Sequence, residues 1–403
     1  MIPELLSPIQ DFVSLKAAID AGADAVYFGV KGFNMRAGAK NFKLADLPKV
    51  TGICHKNKVK SYLTVNTIIY ENEVVKLKKV LKKAKLAKID AIICWDWSVI
   101  SECEKLKLPI HLSTQASVSN FNALVSLKKK IKNLRSVILA RECSLEDIKK
   151  IIKKIKKHKL NIKIETFIHG AMCVSVSGRC FLSQNIFNKS ANRGECLQPC
   201  RRKYLIKDVE ENHELELGTD YVLSPKDLCT MPFIEKLINA GIEIFKIEGR
   251  NRSPEYVKVA TGCYCRAINL NQEKKLTKLV KNKLVKKLET VYNRGFSSGF
   301  FLGKPIKEWS QAYGSKATKK KVYIGVVVNY YKKHSVAEIK VETRGFKINE
   351  TLMFQGPTTG VQEQEVQSMQ LDHKRIKKAE KGKNIAVKTD FIARKNDKVF
   401  VII

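Results

Sequence analysis

Through its first three hundred residues the chain alternates short apolar runs with longer segments in which apolar positions recur at helical spacing among lysines. The runs at 3–6, 25–29, 61–66, 91–94, 110–113, 137–140, 162–168 and 243–247 read as strands. Most segments between them read as amphipathic helices, such as SLKAAIDAGA at 14–23 and SLEDIKKIIKKIKKHK at 144–159. In the second, Ser144 with Glu146 and Asp147 behind it forms a helix N-cap and an acidic first turn. Eight strands joined by helical crossovers predict an α/β fold, a (β/α)8 TIM-like barrel, with a doubly wound open sheet as the alternative. Residues 221–223 offer one further short strand.

One long interruption, about 170–225, follows the seventh predicted strand. The C-terminal ends of barrel strands carry the active site, so an insertion there lies where chemistry is expected. A helix at 274–290, the glycine-punctuated YNRGFSSGFFLGKP at 292–305 and a charged linker at 314–321 then lead to a different pattern. VYIGVVVNYY, HSVAEIKVE, ETLMFQGP, KNIAVKTD and KVFVII are short β-branched segments separated by turn residues, as in a small all-β barrel. The expected division is a barrel domain at 1–320, carrying the insertion, and a C-terminal β-barrel domain at 321–403.

Composition adds three constraints. Hydrophobic residues make up 44% of 403, enough for a sizeable core. The chain opens MIPELLSPIQDF, without the basic and apolar regions of a signal peptide, and no apolar run approaches the ~20 residues of a membrane span. A cytoplasmic protein without membrane contact is expected. There, eleven cysteines argue for ligands and buried thiols over a disulfide framework. The formal net charge of +36 gathers in lysine runs at 76–88, 128–132, 149–159, 274–287 and 316–321. Any one run is a solvated helix face, but together they make a field that draws polyanions, nucleic acid above all.

Chemistry concentrates at 165–200, ETFIHGAMCVSVSGRCFLSQNIFNKSANRGECLQPC. Cys173 and Cys180 are separated by six residues, Cys196 and Cys200 by three, and the two pairs by fifteen. Four such thiols are a disulfide pair, a zinc site or an iron–sulfur cluster. The spacing lacks the two tight Cys-x2-Cys knuckles of a zinc ribbon, while thiolates suit iron–sulfur clusters as well as zinc. Cys54, Cys94, Cys103, Cys143, Cys263 and Cys265 lie in or beside predicted strands and helices, where small core residues are expected.

The string Glu165-x-Phe167-x-x-Gly170-Ala171-Met172-Cys173, then Gly178-x-Cys180-x-Leu182-Ser183, resembles the signature of the U32 peptidase family. The resemblance continues in NRGECLQPCR at 192–201, LSPKDL at 223–228, KIEGR at 246–250, YNRGFSSGF at 292–300 and DAVYFGVKGFNMRAGAKNF at 24–42. It spans nearly the whole chain and points to the tRNA-hydroxylation branch. Despite the family's name, it implies oxygen-independent hydroxylation of a tRNA uridine, an rRNA cytidine or a quinone precursor. For the tRNA branch it implies a [4Fe–4S] cluster, prephenate as hydroxyl donor, and 5-hydroxyuridine at the wobble position of the anticodon loop. It implies Cys173, Cys180 and Cys196 as cluster ligands, with Cys200 as the fourth and Cys229 in reserve. The terminal barrel favours RNA over the quinone branch, which tends to lack it, and members of the rRNA branch are longer. A peptidase is the third reading. His213-Glu214 lacks the second His of HExxH, and pairing Cys173 with His169 leaves three thiols unexplained.

The ends of other predicted strands supply a polar lining. Asn66 ends the third, His111 to Gln115 follow the fifth, and Lys246, Glu248 and Arg250 end the eighth on one alternating face. His111, Gln115, Asn66 and Arg250 are candidate substrate-binding residues, Arg250 because its planar fork suits a small carboxylate co-substrate. Glu165, His169, Lys246 and Glu248 are candidates for proton transfer. A lysine and a glutamate inside a barrel must be paired, so a structural Lys246–Glu248 ion pair is the plain alternative.

Overall fold

A computed structural model describes residues 2–176, 178–204, 221, 223–305, 308–312 and 314–403. His213, Glu214, Val222 and part of the 170–225 insertion lie outside the described residues. The strands of the first sheet are β1 (Glu4–Pro8), β2 (Ala25–Gly29), β3 (Lys60–Thr64), β4 (Ala91–Cys94), β5 (Ile110–Leu112), β6 (Leu134–Ile138), β7 (Lys163–Gly170), β8 (Asp227–Cys229), β9 (Ile244–Ile247) and β10 (Phe296–Ser297). Strands β1 to β7 pair in order and in parallel, and β9 closes the ring by pairing in parallel with both β1 and β7. The result is an eight-stranded parallel barrel, not an open sheet. Strand β8 lies antiparallel to the end of β7, and β10 pairs with β8.

All eight predicted strands form. The sixth begins three residues before the predicted 137, because Arg135 and Ser136 interrupt the apolar run from which the strand is read. Asn66 lies two residues beyond β3 rather than ending it. Tyr221 and Leu223 are not in a strand; the short β8 stands a few residues further on.

Helices α1 (Phe12–Asp20), α2 (Leu47–Lys56), α3 (Val74–Leu86), α4 (Trp97–Lys105), α5 (Phe121–Lys130) and α6 (Leu145–Lys157) fill successive crossovers. Helix α7 (Leu182–Phe187) lies in the insertion, and α8 (Ile234–Ala240), α9 (Pro254–Gln272) and α10 (Lys278–Glu289) complete the set. Helix α6 shows why the pattern works. Ser144 caps it, and Leu145, Ile148, Ile151, Ile152 and Ile155 turn inward while the lysines stay in water. Inside the barrel, alternate strand residues Leu6, Ala25, Tyr27, Tyr62, Ala91, Ile93, Ile138 and Ile244 pack with Phe167 as a separate apolar cluster. No helix among the described residues is long and apolar enough to cross a membrane.

The remaining strands are β11 (Lys321–Tyr331), β12 (Val336–Val341), β13 (Thr351–Gly356), β14 (Gly360–Glu365), β15 (Met369–Leu371), β16 (Lys374–Arg375), β17 (Asn384–Lys388) and β18 (Lys398–Ile402). They form an antiparallel sheet in the order β14-β13-β18-β11-β12-β17-β15-β16 around its own core. This β unit docks on the barrel through Ala17 of α1, which is buried against Met353 and Val361. Lys321 Nζ also reaches Glu255 of α9 at 2.8 Å. Ala17→Glu should therefore weaken the docking by about 3 kcal/mol, comparable with leaving a buried charge uncompensated. Thermal melting and limited proteolysis of the 314–320 segment check this, with earlier melting and faster cutting expected.

Candidate active site

The thiols come first. Cys173, Cys180, Cys196 and Cys200 all line one cavity of about 90 Å³, together with Met35, Arg36, Met172 and Arg201. All four are free thiols. Among the described residues, no three side chains of His, Cys, Asp or Glu converge closely enough to hold a single metal ion. Cys229 lies elsewhere, buried in the main core with its Sγ 3.8 Å from the Tyr264 hydroxyl. Burial raises the Cys196 thiol, and it pushes Cys200 up to about 11, the neighbouring thiols adding to the rise while Arg201 opposes it. Four thiolates crowded around one cavity repel one another, and a cationic group between them would relieve that repulsion.

Regular structure does little to hold these thiols. Arginines do it instead, by donating to backbone carbonyls that a loop leaves unpaired. Arg201 donates to Met172 O, to Pro225 O at 2.7 Å and to Ser224 Oγ at 3.1 Å. Arg193 bonds Ile68 O and Glu73, tying the insertion to the segment after β3. Gly194, at φ +83°, brings the loop so near the 34–37 segment that a Cβ would lie 2.4 Å from Asn34 O. Ala37 N in turn donates to Gly194 O at 3.0 Å. Gly170, at φ +103°, ends β7 where a Cβ would strike the Glu248 carbonyl at 2.5 Å.

A second cavity, about 50 Å³, lies at the C-terminal mouth of the barrel. Its lining includes Asn66, Gln115, Lys246, Glu248 and Arg250, so the structure brings five of the sequence-predicted residues together. Asn66 and Gln115 bond each other, Nδ2 to Oε1 at 3.0 Å. Met35 and Arg36 line both this cavity and the thiol cavity, so the two share a wall. Arg36, Arg141 and Tyr27, which sequence reasoning missed, complete the mouth. Arg141 lies three residues beyond β6, so the rule that strand ends carry the site would have found it.

The expected Lys246–Glu248 pair does not form. Lys246 Nζ donates to Glu165 Oε1 at 2.7 Å, and Glu248 Oε1 accepts from Arg36 Nη2 at 3.0 Å. Lys246 points down into the barrel, where β7 lies alongside β9, while Glu248 has left the strand and meets the 34–37 segment. Glu165 also accepts from Ser136 Oγ at 3.2 Å. His111 Nδ1 stands 3.5 Å from Glu165 Oε2 without hydrogen-bond geometry, making it a charge neighbour rather than a bonded partner. Burial pushes the Glu165 carboxyl up, but Lys246 and His111 outweigh it and hold it at about 2. Burial draws Lys246 down, opposed by Glu165.

The mouth carries an excess of positive charge. Among the described residues, Arg36, Arg141, Lys246 and Arg250 face two carboxylates, Glu248 and, beneath it, Glu165. Burial and the nearby Arg36 push Arg250 down to about 10. Among the described residues its bonds run through Nη1, to Thr64 Oγ1 at 2.7 Å and Asn34 Oδ1 at 3.0 Å. Arg141 donates to Ala171 O at 2.8 Å, and its buried Nε has no hydrogen-bond partner among the described residues. Two incompletely satisfied guanidiniums at the mouth of a barrel are suited to receiving an anion.

His169 lies apart from both linings. Its ring packs among Tyr256, Tyr264 and Phe296, with Tyr264 Oη 3.4 Å from Nδ1. Burial, helped by Arg252, lowers it from 6.5 to about 3, so it is neutral at pH 7.

A sequence profile described as peptidase family U32 matches residues 10–311. A collagenase of Porphyromonas gingivalis is 40% identical, over 98% of this chain and 97% of its own. An uncharacterized protease of Methanocaldococcus jannaschii is 42% identical, over 99% and 98%. The tRNA hydroxylation protein P1 of Bacillus subtilis is 33% identical, over 88% and 84%.

The neutral His169 gives a pH test. Unfolding frees the imidazole to bind a proton below its ordinary 6.5, whereas the folded protein resists protonation down to about 3. Stability from this residue is complete above pH 6.5 and is lost as pH falls from there towards 3. Between pH 7 and pH 5 the loss should be about 2 kcal/mol, and His169→Phe should remove that part of the acid sensitivity. Urea unfolding midpoints at the two pH values measure both. With profile and full-length relatives in agreement, the chain belongs to peptidase family U32.

Proposed function

We propose that this chain is an RNA-modifying hydroxylase that installs a hydroxyl at C5 of a tRNA wobble uridine. In this reading Cys173, Cys180, Cys196 and Cys200 hold a [4Fe–4S] cluster, and prephenate is the hydroxyl donor. One observation carries it: four thiols line a cavity that shares the Arg36 wall with a cationic barrel mouth. When bound, the cluster supplies redox chemistry that no side chain offers. The name of the Bacillus subtilis relative, a tRNA hydroxylation protein, supports RNA hydroxylation in general.

The chain's own residues take the remaining roles. Arg250 and Arg141 bind the carboxylates of a small dianion, whose two charges match the excess of cations over carboxylates at the mouth. Asn66 and Gln115 lock each other and present polar edges beside them. Glu165 stays ionised beneath the pocket, with Lys246 and His111 at hand to hold protons. An anticodon loop enters at a low unstacking cost because its bases are already splayed.

The names of the collagenase and protease relatives favour a second reading, peptide-bond cleavage. Against it, the ring of His169 is enclosed by aromatics and does not line the cavity of Cys173. Mass spectrometry of tRNA nucleosides from a deletion strain, beside a gelatin-cleavage assay of the purified protein, separates the two. Loss of 5-hydroxyuridine-derived nucleosides without gelatinase activity is expected. Unaltered RNA together with gelatin cleavage would overturn the proposal. Complementation with Arg250→Lys should cut the modification roughly tenfold or more, since the lost charge-assisted bond is worth about 1.5–3 kcal/mol. The melting temperature should hold.

A further inference from the structure

A cavity of about 1130 Å³, larger than those at the thiols and the barrel mouth, lies away from the thiols, between the barrel and the C-terminal β unit. Helices α1, α9 and α10 and the 315–321 segment form one side of it. The other comprises Met353, Gln362, Glu363 and Ile402. Six lysines line it: Lys258, Lys286, Lys287, Lys319, Lys320 and Lys321. Three acids do so as well, Asp20, Glu255 and Glu363. Asp20 is taken by Lys16, and Glu255 by Lys321. Lys258 is tied to Val361 O. Lys286, Lys287, Lys319 and Lys320 are exposed and have no carboxylate partner among the described residues, leaving Glu363 as the one unpaired acid.

From this geometry we infer that the cleft between the barrel and the β unit is the docking groove for an RNA backbone. The inference rests on the RNA reading above and assigns its interaction surface. Charge favours a polyanion, since four free ammonium groups stand at the rim of one groove. Placement favours the substrate of this site. The cleft begins at Ser253, just before α9, which follows β9 and the Glu248 and Arg250 that lie directly beyond that strand. At the same end, Tyr292 in the cleft wall stacks on Arg252 at 3.6 Å, and Arg252 is a charge neighbour of Glu248. From Ser253 the groove runs about 13 Å down α9 to Gly262, at a helical rise of 1.5 Å per residue, longer than the phosphate spacing of a strand. Both structural units contribute walls, so the β unit completes a groove that the barrel lacks alone.

Titration of the full chain onto labelled unfractionated tRNA over a salt series tests this. One variant replaces Lys286, Lys287, Lys319 and Lys320 by Gln. The comparison variant replaces Lys149, Lys150, Lys153 and Lys154 on the exposed face of α6. Counterion release assigns ~0.7–0.9 of slope in log affinity against log salt to each phosphate contact, so the cleft variant should lose roughly 3 units of slope. Its affinity at low salt should fall at least tenfold, while the α6 variant stays within twofold. All eight lysines are exposed, so equal melting temperatures are expected for the three proteins. An unchanged slope in the cleft variant, or an equal loss in the α6 variant, would overturn the groove and leave the RNA reading standing. Absence of tRNA binding by the unsubstituted protein at low salt would overturn both.

Discussion

The Glu165–Lys246 pair holds the seam on which the rest of the barrel depends. The two residues sit on β7 and β9, the strands whose pairing closes the ring, and both are almost fully withdrawn from water. Each buried charge costs several kcal/mol, which only a close partner offsets. A slip of one residue between the strands would turn one charge to the opposite face and leave the other alone. The pair therefore specifies register, and through register it specifies where the chain goes next. Beyond β7 begins the thiol loop; beyond β9 come Glu248 and Arg250. Both parts of the site are positioned by one buried ion pair.

Above that seam the organisation changes from ladders to point contacts. Among its described residues the thiol loop contains one short helix and two single 3-10 turns, so its backbone carbonyls need other donors. Arg141 and Arg201 provide them, Arg193 ties the loop outward to Ile68 O and Glu73, and Arg36 lines both cavities. The same guanidiniums that fix the loop also set the field around the thiols. Structure and electrostatics are thus coupled here, and removing one arginine alters both.

Much of this was legible in the sequence, for identifiable reasons. A parallel strand covered on both faces is a short apolar run, and AVYFG at Ala25–Gly29 is buried throughout. The lysine-studded helices show their apolar stripe without ambiguity. Grouping of the four thiols was suggested by their spacing in one insertion, and they line one cavity. Partner choice was not legible. Lys246 and Glu248 are neighbours in sequence, but the true partner of Lys246 lies 81 residues away and is set by strand register. Arg36 and Arg141 are far apart in sequence, and only closure of the barrel brings them to one mouth. For the same reason His169, adjacent to the family signature, was grouped with the site although its ring turns into an aromatic box.

The proposed iron–sulfur cluster rests on the four thiols of this cavity and not on the buried Cys229. Its most direct test is iron and acid-labile sulfide determination on anaerobically purified protein and on the Cys200→Ala and Cys229→Ala variants. The expected result is brown protein with roughly four iron and four sulfide per chain, as a [4Fe–4S] cluster requires. Cys200→Ala should lose most of both, and Cys229→Ala should keep them. Colourless protein carrying stoichiometric zinc and no sulfide, or loss of iron in Cys229→Ala with Cys200→Ala intact, would contradict it.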